Sequence, residues 1–236
     1  MSRRRQTSGN PLLRIAVVVI VVAAAAFGLI ELDIPQDLIG GSVAEPGRAP
    51  AEPSRALEDL EVAPEGSMAG YSREEFPHWS DADEFGWEGL PSSSCDVRDA
   101  ALIRDGTDVR LADGCDVVSG RWRDPYAGGT YSNPSEIDID HVVPLANAWR
   151  SGADSWNEEL RERYANDPSV LLSVEAGENR SKGDKGPEAW KPPNRGAWCE
   201  YATRWIRIKA EYDLSVNEGE ESALQQMLGT CEANGS

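Results

Sequence analysis

The chain has 236 residues, 40% of them hydrophobic, and its 41 acidic and 23 basic side chains give a net charge of −18. This length suffices for one domain with appended segments and excludes several large domains. The acidic balance excludes a polycation that coats nucleic acid by bulk charge, so any nucleic-acid binding must use a local patch.

The first segment, residues 1–30, has the pattern of an export signal. Four arginines within the first fourteen residues precede an apolar run at 15–30. As a helix this run spans about 24 Å, and the arginines keep its N-terminal side in the cytoplasm. The segment is either a membrane anchor or a signal peptide cleaved near the alanines at 23–26. Both alternatives place the rest of the chain outside the cytoplasm.

Residues 31–70 are predicted to form a disordered, acidic, proline-rich linker. They hold nine acidic side chains against two arginines, five prolines and no aromatic residue. Such a composition does not build a hydrophobic core. All eight tryptophans and all four cysteines follow this segment, so the sequence predicts one folded domain at 71–236.

The four cysteines are expected to form disulfides, because these persist outside the cytoplasm. A structural zinc site is disfavoured, since the chain has no CxxC motif and only two histidines. Three pairings are possible. The local pairs Cys95–Cys115 and Cys199–Cys231 are favoured, because the first pair flanks a short helix and strand and the second lies on consecutive predicted helices.

The element order predicts an α+β fold, because strands and helices occur in mixed order. Alternating acids and isoleucines at 136–141 are typical of a strand. The predicted elements in chain order are a helix at 96–104 capped by Asp96, strands at 109–111, 116–122 and 136–141, helices at 144–150 and 154–164, a strand at 169–174, a helical turn at 179–183, an amphipathic helix capped by Asn194 and a last helix at 217–228.

Two separated motifs carry groups suited to phosphodiester hydrolysis. Asp140 and His141 end the strand at 136–141. The imidazole of a histidine is the natural proton acceptor near neutral pH. The carboxylate of an aspartate is a hard ligand for Mg²⁺. Thirty-eight residues after His141, Asn179 offers an amide oxygen, and Lys182 follows one helical turn later. A metal ion would neutralise the phosphate while His141 activates water.

The motifs DHVVPL at 140–145 and NRSKGD at 179–184 together resemble the HNH endonuclease family of ββα-metal nucleases, in particular its exported members. The resemblance extends over about 95–231 and includes the GRWRDPYAGG turn before the DH strand. It implies a ββα-metal core with additional helices and disulfides. It also implies one divalent metal ion, with Mg²⁺ favoured and Mn²⁺, Zn²⁺ or Ni²⁺ as alternatives.

By this resemblance Asp140 is a metal ligand and His141 the general base. Asn179 is the ligand on the helix that replaces the family's final histidine, and Lys182 contacts the phosphate. The middle motif departs from the family pattern, because relatives carry an asparagine directly before the apolar strand and this chain does not. Either Asn166 or a backbone carbonyl orients the base, or the orienting function is lost.

Two further residues are candidates with open alternatives. Asp138 alternates with Asp140 and either lies on a solvated strand face or is a further ligand. Asp184 either stabilises the loop after Asn179 or reaches the metal through water. His78 is expected on the surface.

The charge pattern indicates a basic island within an acidic domain. Residues 179–209 carry eight basic side chains against three acidic ones. Such an island predicts salt-sensitive, sequence-tolerant binding to nucleic-acid backbones. The alternative is that these are ordinary helix-surface cations.

The leading interpretation is an exported, metal-dependent endonuclease that acts on DNA in preference to RNA, attached to a membrane if the segment at 1–30 is retained. The alternative is a noncatalytic, surface-tethered binding module on a degenerate HNH fold, in which His141 is a structural histidine. No protein partner is inferred.

Overall fold

The computed structural model describes residues 52–231, an α+β domain that lies within one compact unit. The α-helices of these residues are α1 Pro53–Glu58, α2 Val97–Asp105, α3 Leu145–Arg150, α4 Glu158–Asn166, α5 Ala176–Lys182, α6 Trp198–Glu211 and α7 Glu218–Leu228. Their strands are β1 Gly106–Leu111, β2 Val117–Arg123, β3 Thr130–Tyr131, β4 Ile137–His141 and β5 Leu171–Glu175. This composition confirms the predicted α+β class.

Strands β1, β2 and β3 form an antiparallel sheet in that order, and helix α2 packs against it. Helix α2 begins where predicted, because the Asp96 carboxylate accepts a first-turn backbone N–H. Trp122 on β2 is 1% exposed, and its indole N–H donates to the Leu102 carbonyl at 2.9 Å. The Cys95–Cys115 disulfide joins the start of α2 to the turn after β1.

Strands β4 and β5 form a second antiparallel sheet, in which Asp140 pairs with Leu172 and His141 with Leu171. Helices α3 and α4 lie between these two strands in the chain. Helix α5 follows β5 at once, because the Glu175 carboxylate caps its first turn, and it packs against both strands. The order strand, strand, helix brings the end of β4 close to α5.

The larger hydrophobic core lies beneath α6, with α1 and α7 packed on that helix. Trp205 and Ile208, on the predicted apolar stripe of α6, are buried there. The Cys199–Cys231 disulfide joins the first turn of α6 to the chain three residues after the end of α7. The structure thus contains the two local disulfides favoured by the cysteine spacing.

The folded domain begins before residue 71, which corrects the predicted extent of the linker. Helix α1 lies inside the segment 31–70, and its Leu57 is 2% exposed in the larger core. Val62 forms a β-bridge with Val216. The composition of residues 31–70 did not predict these contacts. The segment is rich in acidic residues and prolines, and α1 packs on the core through only a few apolar side chains.

The predicted export segment and the first part of the predicted linker lie outside the described residues. Within residues 52–231, no helix is both long enough and apolar enough to cross a bilayer.

Replacing Leu57 by alanine tests whether α1 belongs to the folded domain. The substitution leaves a cavity in the larger core, so we expect the free energy of unfolding in urea to fall by about 2–5 kcal/mol. Val118→Ala is the control, because Val118 is 51% exposed and should change stability by no more than about 0.5 kcal/mol. Equal effects of the two substitutions would contradict the extended boundary.

Candidate functional site

A pocket of about 260 Å³ opens where the end of β4 meets α5 and the start of α3. Asp140 and His141 line it from β4, and Asn179 lines it from α5. The fold therefore brings the two separated motifs to one place. Asp184 also lines this pocket, just beyond the end of α5.

His141 is 5% exposed and is held by one backbone contact. Its Nε2 lies 3.0 Å from the Ala165 carbonyl oxygen. A carbonyl only accepts hydrogen bonds, so Nε2 carries the proton and Nδ1 keeps a lone pair. Burial lowers the pKa of His141 to about 3, against the opposing effect of the Ala165 carbonyl, so the imidazole is neutral near pH 7.

Asp140 is held between a lysine and a tyrosine. The Lys182 ammonium donates to Asp140 Oδ1 at 2.8 Å and to the His141 carbonyl at 2.9 Å, and the Tyr126 hydroxyl donates to Oδ2 at 2.6 Å. Burial raises the pKa of Asp140 and lowers that of Lys182, while their mutual attraction opposes both shifts. These bonds fix the carboxylate and the backbone of the DH motif.

The burial of Lys182 corrects its predicted role as a phosphate contact. Its side chain is 0% exposed and its ammonium group donates to two internal acceptors. A substrate phosphate therefore has no access to it. Lys182 is a positioning residue for Asp140.

Asn179 lies on α5, and its Nδ2 group donates to Asp138 Oδ2 at 3.3 Å. Within residues 52–231, no donor hydrogen-bonds the Asn179 amide oxygen. Asp138 therefore lies beside Asn179, where it orients the amide. The oxygen of Asn179 stays available for a ligand.

Asn166 makes no hydrogen bond to His141. Asn166 is fully buried; its amide group donates to the Pro77 and Glu162 carbonyls and its oxygen accepts from the Ser80 N–H. These bonds tie the segment before α2 to the end of α4, and none of them reaches His141. The carbonyl that contacts His141 is that of Ala165.

Asp184 accepts a hydrogen bond from Arg150 at 3.0 Å, and its side chain is 64% exposed. This bond to Arg150 is what we expect if Asp184 stabilises the loop after Asn179. The same carboxylate lies at the pocket, so the structure does not oppose a contact through water.

Fewer cations of the basic island at 179–209 lie on the surface than the sequence predicts. Lys182 and Lys209 are both fully buried, and Lys209 pairs with Glu220 at 2.9 Å. Arg204 forms an ion pair with Glu200. Two of the eight cations are therefore structural, and the exposed remainder is the part that can meet phosphates.

Sequence reasoning missed the contribution of the N-terminal segment to the pocket. Tyr71 and Arg73 line it together with the DH motif. One signal was present, because Arg73 is the sole lysine or arginine between Arg55 and Arg98 in an otherwise acidic stretch. No sequence signal indicated the hydrogen bond from Tyr126 to Asp140 or the one from His141 to the Ala165 carbonyl, because each depends on tertiary packing.

The donor set at the pocket fits a divalent ion that keeps several water molecules. Mg²⁺ is commonly held by one or two carboxylates together with water and phosphate oxygens. Each Asp140 oxygen accepts one hydrogen bond and has further lone-pair capacity, and the Asn179 oxygen is unengaged within residues 52–231. No group of three or more His, Cys, Asp or Glu suited to a metal occurs in the described part of the chain.

Comparison with protein families adds an independent result. Residues 96–227, more than half of the chain, match the family described as GmrSD restriction endonucleases, C-terminal domain. The chain belongs to this family. The matched GmrSD segment includes the DH motif and α5, whereas Tyr71 and Arg73 precede it. Membership assigns the protein to a nuclease-related family, in agreement with the two motifs.

A relative of this chain comes from Arthroderma benhamiae and is named an uncharacterized secreted protein. The two are 48% identical over 177 residues, which cover 74% of this chain and 82% of the relative. No solved structure matches the chain.

Replacing Lys182 by methionine tests the buried ion pair. The substitution leaves the Asp140 charge buried without its partner, so we expect the free energy of unfolding to fall by about 3–5 kcal/mol. Arg204→Met breaks an exposed pair and should cost about 1 kcal/mol or less in the same denaturation experiment.

A double variant, Asp140→Leu with Lys182→Met, provides a further check. It removes both charges and should recover part of the stability lost in the single variant. A Lys182→Met protein as stable as Arg204→Met would contradict the role of the pair.

Proposed function

We propose that the protein is a divalent-metal-dependent endonuclease of the HNH type that hydrolyses phosphodiester bonds of DNA. The observation that carries the proposal is the meeting of three groups in one pocket. His141, with Nδ1 unprotonated, shares the pocket with the carboxylate of Asp140 and the amide of Asn179. The restriction-endonuclease family of the chain supports the same reaction class.

The order of elements supports the HNH assignment. Strands β4 and β5 pair antiparallel, and β5 leads directly into α5, which is the arrangement expected of a ββα-metal core. Asp140 and His141 lie at the end of the first strand, and Asn179 lies on the helix. These are the positions that the resemblance assigns to two ligands and a base.

Asp140 and Asn179 would hold the metal ion, which would supply charge neutralisation of the phosphate and of the departing oxygen. Mg²⁺ is the ion we favour, because both donors are hard oxygens. Lys182 and Tyr126 keep the Asp140 carboxylate in place.

His141 acts as the general base in this proposal. Its Nδ1 accepts a proton from the attacking water, while the Nε2–H remains bonded to the Ala165 carbonyl. The carbonyl fixes the tautomer before the reaction and stabilises the positive imidazolium after the proton arrives. Ala165 thereby performs through its backbone the role that the family pattern gives to an asparagine.

The substrate is proposed to be DNA, bound with little sequence preference. The domain is acidic overall, and binding would depend on the few exposed cations near the pocket, so it should weaken steeply with salt. The secreted relative and the two disulfides support action outside the cytoplasm. Retention of residues 1–30 would tether the enzyme to a membrane, and their removal would release it.

Plasmid nicking by the purified full-length protein tests the activity. We expect cutting with Mg²⁺ or Mn²⁺ and none with EDTA. His141→Asn should lower the rate by about 10²–10⁴-fold, because the base is removed. Asp140→Asn should also be impaired, whereas Asp113→Asn, in the exposed turn between β1 and β2, should cut like the wild type.

Circular dichroism of each variant verifies the fold. Unchanged cutting by folded His141→Asn would refute the proposed base. A folded wild-type protein that binds DNA and cuts neither DNA nor RNA with any metal would favour the noncatalytic binding module.

Calorimetric titration with Mn²⁺ tests the ligands without an activity readout. Asn179→Ala removes a proposed ligand oxygen and should weaken Mn²⁺ binding by at least about tenfold. Asn133→Ala is the matched control, since Asn133 is exposed in the loop before β4. Equal affinities of the two variants would argue against Asn179 as a ligand.

A further inference from the structure

The N-terminal segment of the domain contributes a cation to the pocket of the proposed active site. Arg73 lies in a short 3₁₀ helix, Arg73–Glu75, and lines the pocket beside Asp140 and His141. Its side chain is exposed, so a ligand that enters the pocket can reach it.

A histidine orients the Arg73 guanidinium. The Nε–H of Arg73 donates to His78 Nε2 at 3.2 Å, and His78 Nδ1 lies 2.7 Å from the Phe76 carbonyl oxygen. The carbonyl accepts, so Nδ1 carries the proton and Nε2 is free to accept from the arginine. One side of the guanidinium is thus fixed to the protein, and the two Nη groups remain for another partner.

Arg73 has no acidic partner at ion-pair distance within residues 52–231. Two other cations close to the pocket are engaged, because Lys182 is buried against Asp140 and Arg150 pairs with Glu65 and Asp184. An unpaired, oriented guanidinium beside a proposed hydrolytic centre is suited to an anion.

We propose that Arg73 binds the non-bridging oxygens of the phosphodiester group placed next to His141, and that His78 positions Arg73 for this contact. The planar guanidinium matches a phosphate with two parallel hydrogen bonds, which an ammonium group does not. The proposal deepens the proposed function and rests on it. It also assigns a substrate contact to a residue that precedes the matched family segment at 96–227.

The test compares the full-length wild type with Arg73→Ala, Arg73→Lys and Arg55→Ala. Arg55 is the matched control, because it is an exposed arginine on α1 that does not line the pocket. Two quantities are measured: kcat/KM for cleavage of a duplex oligonucleotide, and the dependence of duplex affinity on salt concentration in EDTA, where no cutting occurs.

Loss of one phosphate contact should reduce the slope of log affinity against log salt by about 0.9 in Arg73→Ala. The same variant should lose about ten- to a hundredfold in kcat/KM. Arg73→Lys should restore the slope but only part of kcat/KM, because it keeps the charge and loses the paired hydrogen bonds. Arg55→Ala should match the wild type in both measurements.

His78→Ala tests the positioning role. It should lower kcat/KM in the wild-type background and have no further effect in the Arg73→Ala background, since its action passes through the arginine. Equal losses in both backgrounds would show that His78 acts separately from Arg73.

The outcomes separate this inference from the proposed function. If the wild type cuts DNA and folded Arg73→Ala retains both its kcat/KM and its salt slope, the inference is wrong and the proposed function stands. If the folded wild type neither binds nor cuts DNA, the proposed function fails, and the phosphodiester assigned to Arg73 fails with it.

Discussion

The buried ion pair between Lys182 and Asp140 holds the candidate site together. Lys182 is the last residue of α5, and its ammonium group bonds both the Asp140 carboxylate and the His141 carbonyl at the end of β4. One side chain thereby fixes the helix against the strand that carries the DH motif. Asn179 lies one turn earlier on the same helix and lines the same pocket as Asp140.

A buried ion pair is a weak source of stability, because the cost of removing two charges from water offsets much of their attraction. Its value here is geometric. Tyr126, which precedes β3, bonds the second oxygen of Asp140, and the Ala165 carbonyl at the end of α4 holds His141. The pocket is consequently assembled from parts of the chain that are distant in sequence, including the N-terminal segment that brings Arg73.

Local signals predicted much of this structure from the sequence. Asp96 caps α2 as predicted, and the alternation at 136–141 corresponds to β4. The motif at 140–145 begins at the end of β4, whereas the motif at 179–184 lies at the end of α5 and reaches the same pocket because α5 packs against β4.

The parts that sequence reasoning missed depend on contacts between distant segments. The burial of Lys182 follows from the packing of α5 on β4, and no charge count distinguishes it from the exposed Arg180. The burial of Leu57 in the larger core was not predicted, because many of its sequence neighbours are acidic residues or prolines. The bond from His141 goes to a backbone carbonyl, and every residue type has one, so the identity of Ala165 carries no signal.

The proposed function requires that Asp140 and Asn179 share one divalent ion in the pocket of His141. Anomalous diffraction from crystals of the protein soaked in Mn²⁺ measures this most directly. We expect an anomalous peak in that pocket, in contact with oxygens of both residues. Well-ordered Mn²⁺ peaks elsewhere on the protein, with none between Asp140 and Asn179, would contradict it.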